Sequence, residues 1–549
     1  MIRPARPTLA EVPLADLSFE GLIAPRKCSN YNPYGGAVGG CPSEVDPWRR
    51  GGCENICMLA VFVLDCADHE ILSRLLDEGR LPAIRSLVAR GCSVPLASDG
   101  DALDGSVFQT LLTGMNPGRH GIHKYRQLVP GTDRYAIAKA ARSPVPQVWR
   151  VLSDAGRTCC VFDVPKAFPL SGFRGQLVAS WGSYTPAGEP GSSPAGLYGE
   201  VVRRFGRHPL RSQKAIPLQP AEYEDVERML LRGVGQRRDA CAWLLGQRPW
   251  DFFMTAFSES HVGAHQFWHL CDPAHPLHDP ESARRCGRAV DRIYEAIDAA
   301  LDTLLRQLPA DAHVMVLTQQ GVQHNYTASH LLPHWLAVRE GRQPPRSPLA
   351  AIDASFGSRL RNTLRGMLPE RVADRLTAWK FPLRGRVCML PGSEYSALLR
   401  INLRGREPRG EVAPADYEAE MASLTSDLLS LRDADTGRQA VAEVRRPRQL
   451  YHGPLVDCLP DAIVCWANAG PVSALDCPRH RRIERAISFT DITHSMHTAV
   501  GWGVVAGPGV PRATVDAARD VKDVTSTLYH ILDVTPPAEV EGTSLVRIR

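Results

Sequence analysis

Apolar positions along this chain switch repeatedly between two spacings. Short runs rich in branched side chains predict buried strands: MLAVFVLD from Met58, TCCVFDV from Thr158, QLVASW from Gln176, DFFMTAFS from Asp251, HVMVLTQQG from His313, DAIVCW from Asp461 and GWGVVAGPG from Gly501. Helical spacing fills the intervals. HEILSRLLDEGRLPAIRSLVARG runs from His69, interrupted by Pro82 and stopped at Gly91. Longer helical stretches run from about Ala221 to Gln247 and from about Pro280 to Leu308, each leading into a strand. Strands alternating with helices predict a layered α/β fold, with a mostly parallel sheet and active residues at the carboxyl ends of its strands.

Two regions break the rhythm. Between about Ala337 and Glu411, Pro and Arg clusters replace the periodicity, which predicts an insertion or cap at 337–411 on a main domain formed by 58–336 and 412–549. Residues 1–57 are rich in Gly, Pro and Arg and carry Cys28, Cys41, Cys53 and Cys57 at spacings without paired C-x-x-C knuckles. That segment reads as a poorly structured leader, and Met58, opening the first strand, is an alternative translation start.

Composition narrows the function classes. In 549 residues, 44% hydrophobic and 22% charged content are those of a folded globular protein. A net charge of +5, with basic and acidic residues interleaved, offers no footprint for nucleic acid. No apolar run approaches the roughly 18 residues of a membrane span, and the N-terminus lacks the apolar core of a secretory signal. The expected setting is the cytoplasm, with no membrane partner and a small anionic molecule as substrate. The fifteen cysteines are scattered, as buried free thiols are.

Three histidines carry the chemistry. His261 and His265 stand four apart in FSESHVGAHQFWH, and His497 lies just ahead of the last strand. Three imidazoles converging from distant segments are what zinc needs while one coordination position stays open. Asp65 ends the first strand, where a carboxylate serves as metal ligand, general base or helix cap. In DGDALDGSVFQTLLTG, Asp104 and Ser106 precede a helix, whose N-terminus favours a nucleophile or a bound phosphate. Both also read as an ordinary cap and first-turn residue.

With these residues in place, the chain resembles the type I phosphodiesterase and nucleotide pyrophosphatase family of the alkaline phosphatase superfamily. Carrying the resemblance are the run from Asp65 through LTGMNPGRHGI, VFDVPKAFP at 161, WDFFMTAFSESH at 250, VMVLTQQG at 314, RINLRGREPRGEV at 400, GPLVDCLPDAIVCW at 453, GVVAGPGV at 503 and DVKDVTSTLYHILDVTPPAEVEGTSL at 520. It spans nearly everything from Met58 to Leu545 and implies the alkaline-phosphatase-like layered fold.

The resemblance also implies two zinc-type sites beside a Thr or Ser nucleophile. The first falls on His261, His265 and His497, with His261 in place of the usual Asp. The second retains Asp65, but its S-D-H-G signature reads Thr318-Gln319-Gln320-Gly321, and neutral amides are poor ligands for such a metal. An ungapped match places Asp104 at the nucleophile position, nine residues before Thr113, and a two-residue shift makes it Ser106. His123, Lys124, Lys166, His324 and His330 lie near matched motifs, where they face an anionic substrate or serve as surface and structural residues.

The leading expectation is a metal-dependent hydrolase of a small phosphate or phosphonate ester with one zinc. The alternatives are a mononuclear zinc enzyme of a specialised biosynthetic pathway with non-phosphoryl chemistry, and an inactive binding pseudoenzyme.

Overall fold

A computed structural model of the chain describes residues 57–183, 190–210, 218, 220–343, 370–392, 396–478, 482–485 and 495–548. Three of the four leader cysteines, Cys28, Cys41 and Cys53, lie outside the described residues.

The strand runs form one ten-stranded sheet. In chain order its strands are β1 (Leu59–Leu64), β2 (Cys92–Ala97), β3 (Cys159–Phe162), β4 (Gly175–Ala179), β5 (Gly191–Ser193), β6 (Phe252–Phe257), β7 (His313–Thr318), β8 (Val500–Ala506), β9 (Ala513–Thr514) and β10 (Arg519–Asp520). Across the sheet the order is β9-β2-β8-β7-β1-β6-β3-β4-β5, with β10 also paired to β2. The stretch from β7 to β4 is parallel, whereas β8 runs antiparallel to both β2 and β7, and β5 antiparallel to β4.

Each strand face finds its own layer, because successive side chains point to opposite sides. Ala60, Phe62 and Leu64 enter one core with α1 (His69–Asp77), α2 (Pro82–Arg90), α4 (Pro220–Leu245), α5 (Ser258–Cys271) and α6 (Ala289–Leu305). Leu59, Val61 and Val63 enter the other, with α3 (Val107–Thr113) and α7 (Lys522–Ile531). The result is the expected layered α/β architecture. The stretch from His69 divides into α1 and α2 because Pro82 cannot continue a helix and instead opens the next one. Asp68 caps α1, its carboxylate accepting from the Ile71 amide at 2.9 Å.

Register fixes where chemistry can occur. β1 pairs in parallel with β6 from Leu59↔Phe252 to Leu64↔Phe257, and with β7 from Leu59↔His313 to Val63↔Leu317. Three adjacent strands therefore end level, delivering Asp65, the start of α5, and Gln319 to one edge. β8 arrives from the opposite direction and brings His497 to the same edge through a short ladder in which His497 pairs with Val322.

A smaller lobe has its own four-stranded antiparallel sheet: Val387–Leu390, Ser396–Ile401, Ala462–Trp466 and Val441–Arg445. Its core takes in Leu331, Leu332 and Trp335 as well as residues up to Ile483, so the lobe draws on chain from both sides of residue 411. The INLRGREP stretch is structural here. Arg400 pairs with Glu407 at 2.7 Å and Arg406 with Asp461 at 2.6 Å, all four buried.

A second buried ion network lies under α5. The Arg237 guanidinium, wholly buried, meets Asp163 at 3.0 Å and Glu259 at 3.1 Å and packs over Phe162, Trp181 and Phe257. Burial alone would raise the Glu259 carboxyl, but the Arg237 charge and the bond from His208 outweigh it and leave it below its usual value. Breaking such a network by removing one partner strands the others in a dry interior, at a cost of about 3–5 kcal/mol. Arg237→Leu is expected to lower unfolding free energy in urea by that amount; a loss below about 1 kcal/mol, the worth of an exposed pair, contradicts the assignment.

Candidate metal centre

β1 ends in Asp65, and the chain then turns at Cys66 with φ of +53°, a left-handed conformation that costs a side-chain-bearing residue roughly 1–2 kcal/mol. The Ser260 hydroxyl clamps this corner, lying 2.7 Å from the carbonyls of both Asp65 and Phe257. Because α5 starts directly after β6, its first turn stands over the sheet edge, and the four-residue spacing puts His261 and His265 on one face.

The three histidines converge through the same ring nitrogen. His497 Nε2 lies 3.0 Å from His265 Nε2 and 3.3 Å from His261 Nε2. Metal–nitrogen bonds of about 2.0–2.1 Å at tetrahedral angles imply nitrogen separations of about 3.3 Å, so the spacing fits one zinc-sized cation. The outward nitrogens are also engaged. His261 Nδ1 is 3.1 Å from Asp65 Oδ2, His265 Nδ1 is 2.9 Å from Ser495 Oγ, and His497 Nδ1 is 3.1 Å from the Gln320 amide. Partners behind the rings fix tautomer and orientation. Gln320 Oε1 is buried without a partner; with the amide turned over, that oxygen accepts the His497 Nδ1 proton and leaves the Nε2 lone pair for a metal. The donor set fits a mononuclear zinc.

Asp65 stands behind His261, in contrast to the expectation that it ligates directly. Its Oδ2 holds the His261 ring, while its Oδ1 accepts from Gln319 Nε2 at 2.6 Å and from the Cys66 thiol at 3.1 Å. Burial would raise this carboxyl, yet the His261 charge and these bonds hold it below its ordinary value. The Gln319 amide donates a proton to Asp65 where the family resemblance places a second metal.

Cys66 was not foreseen. Its Sγ lies 3.0 Å from Gln320 Nε2 and 3.8 Å from His497 Nε2, completing with His261 and His497 a group of potential ligand atoms within 4.8 Å of one another. The thiol proton is directed at Asp65, so Cys66 acts through that carboxylate. Ser495, two residues before His497, was also missed. A polar residue flanking each metal-binding position was the available signal.

Of the two nucleophile candidates, only Asp104 faces polar chemistry. Ser106 is wholly buried, its hydroxyl donating to the Leu103 carbonyl at 2.7 Å, so it is removed from the centre as the residue capping α3. Asp104 Oδ1 meets Lys124 Nζ at 2.6 Å. His123 and His120 are buried behind this pair; burial foremost, then neighbouring positive charge, lowers both to about 3. His324 lies aside, accepting from Trp268 Nε1 at 3.2 Å and pairing with Asp272 at 3.2 Å, and buried His330 sits beneath Arg485, which donates to its carbonyl.

The chain matches the family described as type I phosphodiesterase / nucleotide pyrophosphatase over residues 59–464. No functionally curated protein matches the sequence. Among solved structures, alkaline phosphatase PafA is similar with a TM-score of 0.51 and 12% identity, over 90% of this chain and 99% of that one. A phosphonoacetate hydrolase from Sinorhizobium meliloti 1021, solved with phosphonoformate, gives 0.46 and 14%, over 87% and 95% of the two chains. Murine ectonucleotide pyrophosphatase/phosphodiesterase 5, solved as an inactive variant with AMP, gives 0.44 and 11%, over 89% and 98%. The PafA likeness is one of fold.

Two outcomes follow from this geometry. Zinc analysis of purified protein should find about one ion per chain, lost in His265→Ala, weakened about 10- to 100-fold in Ser495→Ala and retained in Cys66→Ser. Zinc retained at full occupancy in His265→Ala contradicts the three-imidazole cage.

The second outcome concerns acid stability. His120 and His123 hold pKa values of about 3 in the fold against 6.5 when unfolded, so the unfolded chain takes up protons in that window that the fold refuses. Stability therefore falls as pH drops from 6.5 towards 3, by about 1.4 kcal/mol per unit per ring. His123→Gln should flatten the acid limb of the urea-unfolding profile by one proton's worth; an unchanged slope refutes this.

Proposed function

Because the chain belongs to the type I phosphodiesterase / nucleotide pyrophosphatase family, a family of phosphoester hydrolases, we propose that it hydrolyses a small phosphate or phosphonate ester at a single zinc held by His261, His265 and His497. One observation carries the reading: three Nε2 atoms converge at metal-bridging distance, each ring backed by its own partner. Zinc bound there supplies a Lewis acid that polarises a phosphoryl oxygen and offsets charge developing in the transition state.

The chain's own groups account for the remaining steps. Lys124 draws the anionic ester towards the edge of the sheet. Asp104, oriented by Lys124, takes the proton of the attacking water as its oxygen bonds to phosphorus, and the bond from phosphorus to the leaving oxygen breaks. Asp65 holds the His261 ring in the tautomer that presents Nε2. Gln319 secures Asp65 from the other side and keeps the carboxylate ionised without a second cation.

The zinc-loaded protein should release nitrophenol from a panel of nitrophenyl phosphate and phosphonate esters. Chelation should abolish turnover, and Asp104→Asn should lower kcat by about 100-fold or more while leaving zinc content intact. A protein with full zinc that hydrolyses no member of the panel overturns the proposal and favours non-phosphoryl zinc chemistry.

A further inference from the structure

Two ammonium groups flank the metal centre on the side where the second cation is missing. Lys124 pairs with Asp104 at 2.6 Å, and its charge acts on His497; the Asp104 charge in turn acts on Cys66. The backbone also ties this pair to the centre. Segment 99–106 passes so close that a Cβ on Gly100 would lie 2.5 Å from Gln320 Oε1 and 2.5 Å from the Thr498 carbonyl, while one on Gly105 would lie 2.8 Å from Lys124 Cα. The same short loop therefore touches the glutamine behind His497 and the lysine that holds Asp104.

Lys166 completes the group. It is held at φ of +70°, a strained conformation for lysine, by the turn after β3, and its carbonyl accepts from Gln147 Nε2 at 3.0 Å. Strain of this kind persists where surrounding structure over-determines it, and it clusters at ligand sites. Burial foremost lowers the Lys166 ammonium to about 8, with Asp104 raising it and Lys124 lowering it further, so all three groups share one electrostatic neighbourhood.

The charge balance is decisive. In the zinc-loaded site two ammoniums offset the carboxylates of Asp65 and Asp104, while the imidazoles are neutral ligands, which leaves the divalent cation's two positive charges unmatched. A phosphate diester carries one negative charge and leaves the site unbalanced. A phosphate monoester or a phosphonate carries two. We propose that Lys124 and Lys166 replace the second metal as the positive partner of the phosphoryl group and select dianionic phosphate monoesters or phosphonates over diesters. This selection rests on the mononuclear zinc reading and adds a substrate class to it.

The probes are inorganic phosphate, methylphosphonate and dimethyl phosphate, titrated calorimetrically into the full zinc-loaded chain with zinc content measured in each sample. Phosphate and methylphosphonate should bind at least about tenfold more tightly than dimethyl phosphate, and methylphosphonate affinity should rise with pH as its second proton leaves. Lys124→Gln should collapse the preference about tenfold at unchanged zinc content, and Lys124→Arg should retain it. Equal binding of dimethyl phosphate and phosphate by wild-type protein with full zinc overturns the lysine inference and leaves the metal reading standing. Failure of the wild-type chain to retain zinc overturns both. A preference undiminished in folded, zinc-replete Lys124→Gln also overturns the role of that ammonium.

Discussion

The level ending of three parallel strands is the constraint on which the rest depends. β1, β6 and β7 are paired without slippage, so Asp65, the first turn of α5, and Gln319 emerge at one height. A one-residue slip would reverse every inward and outward side chain and separate these groups. The two hydrophobic layers enforce the register, since alternate residues of β1 belong to opposite cores and neither set tolerates the other face. The centre is thus a consequence of packing that extends well beyond it. The buried Arg237 network, two residues upstream of His261 through Glu259, anchors α5 in the same way.

At this edge, a two-cation arrangement gives way to one cation and a set of hydrogen bonds. Gln319 presents an amide proton to Asp65 where a second metal would present charge. An amide satisfies the carboxylate's lone pairs but contributes no net charge, so it stabilises Asp65 without adding to the field acting on a substrate. The positive charge lost must come from elsewhere if an anionic ester is to bind, and Lys124 and Lys166 are the groups placed to supply it. Loss of the second ligand pair and the presence of these ammoniums then become parts of one arrangement.

Much of the architecture was legible in the residue pattern. The branched apolar runs became β1, β3, β4, β6, β7 and β8, and the carboxyl ends of β1, β6 and β7 carry the chemistry, as the alternation of strand and helix implied. His261, His265 and His497 stood out by residue type, and the structure joins them. Other features depended on distances that no linear pattern encodes. Asp65 could be placed near the centre but not behind a ring, because ligand and ring-orienting roles both require a carboxylate at a strand end. Ser106 and Asp104 could not be separated until the Ser106 hydroxyl was found on the Leu103 carbonyl. Cys66 was hidden among many buried thiols and was distinguished only by its left-handed turn and its neighbours. The INLRGREP motif, conspicuous in sequence, proved to be an ion network within the smaller lobe.

The central claim is a single metal held by three imidazoles, and anomalous diffraction at the zinc absorption edge from crystals grown with zinc tests it most directly. One peak about 2.0–2.1 Å from Nε2 of His261, His265 and His497, with no second peak between Asp65 and Gln319, is the predicted result. A second peak beside Asp65, or none among the histidines, would contradict the account.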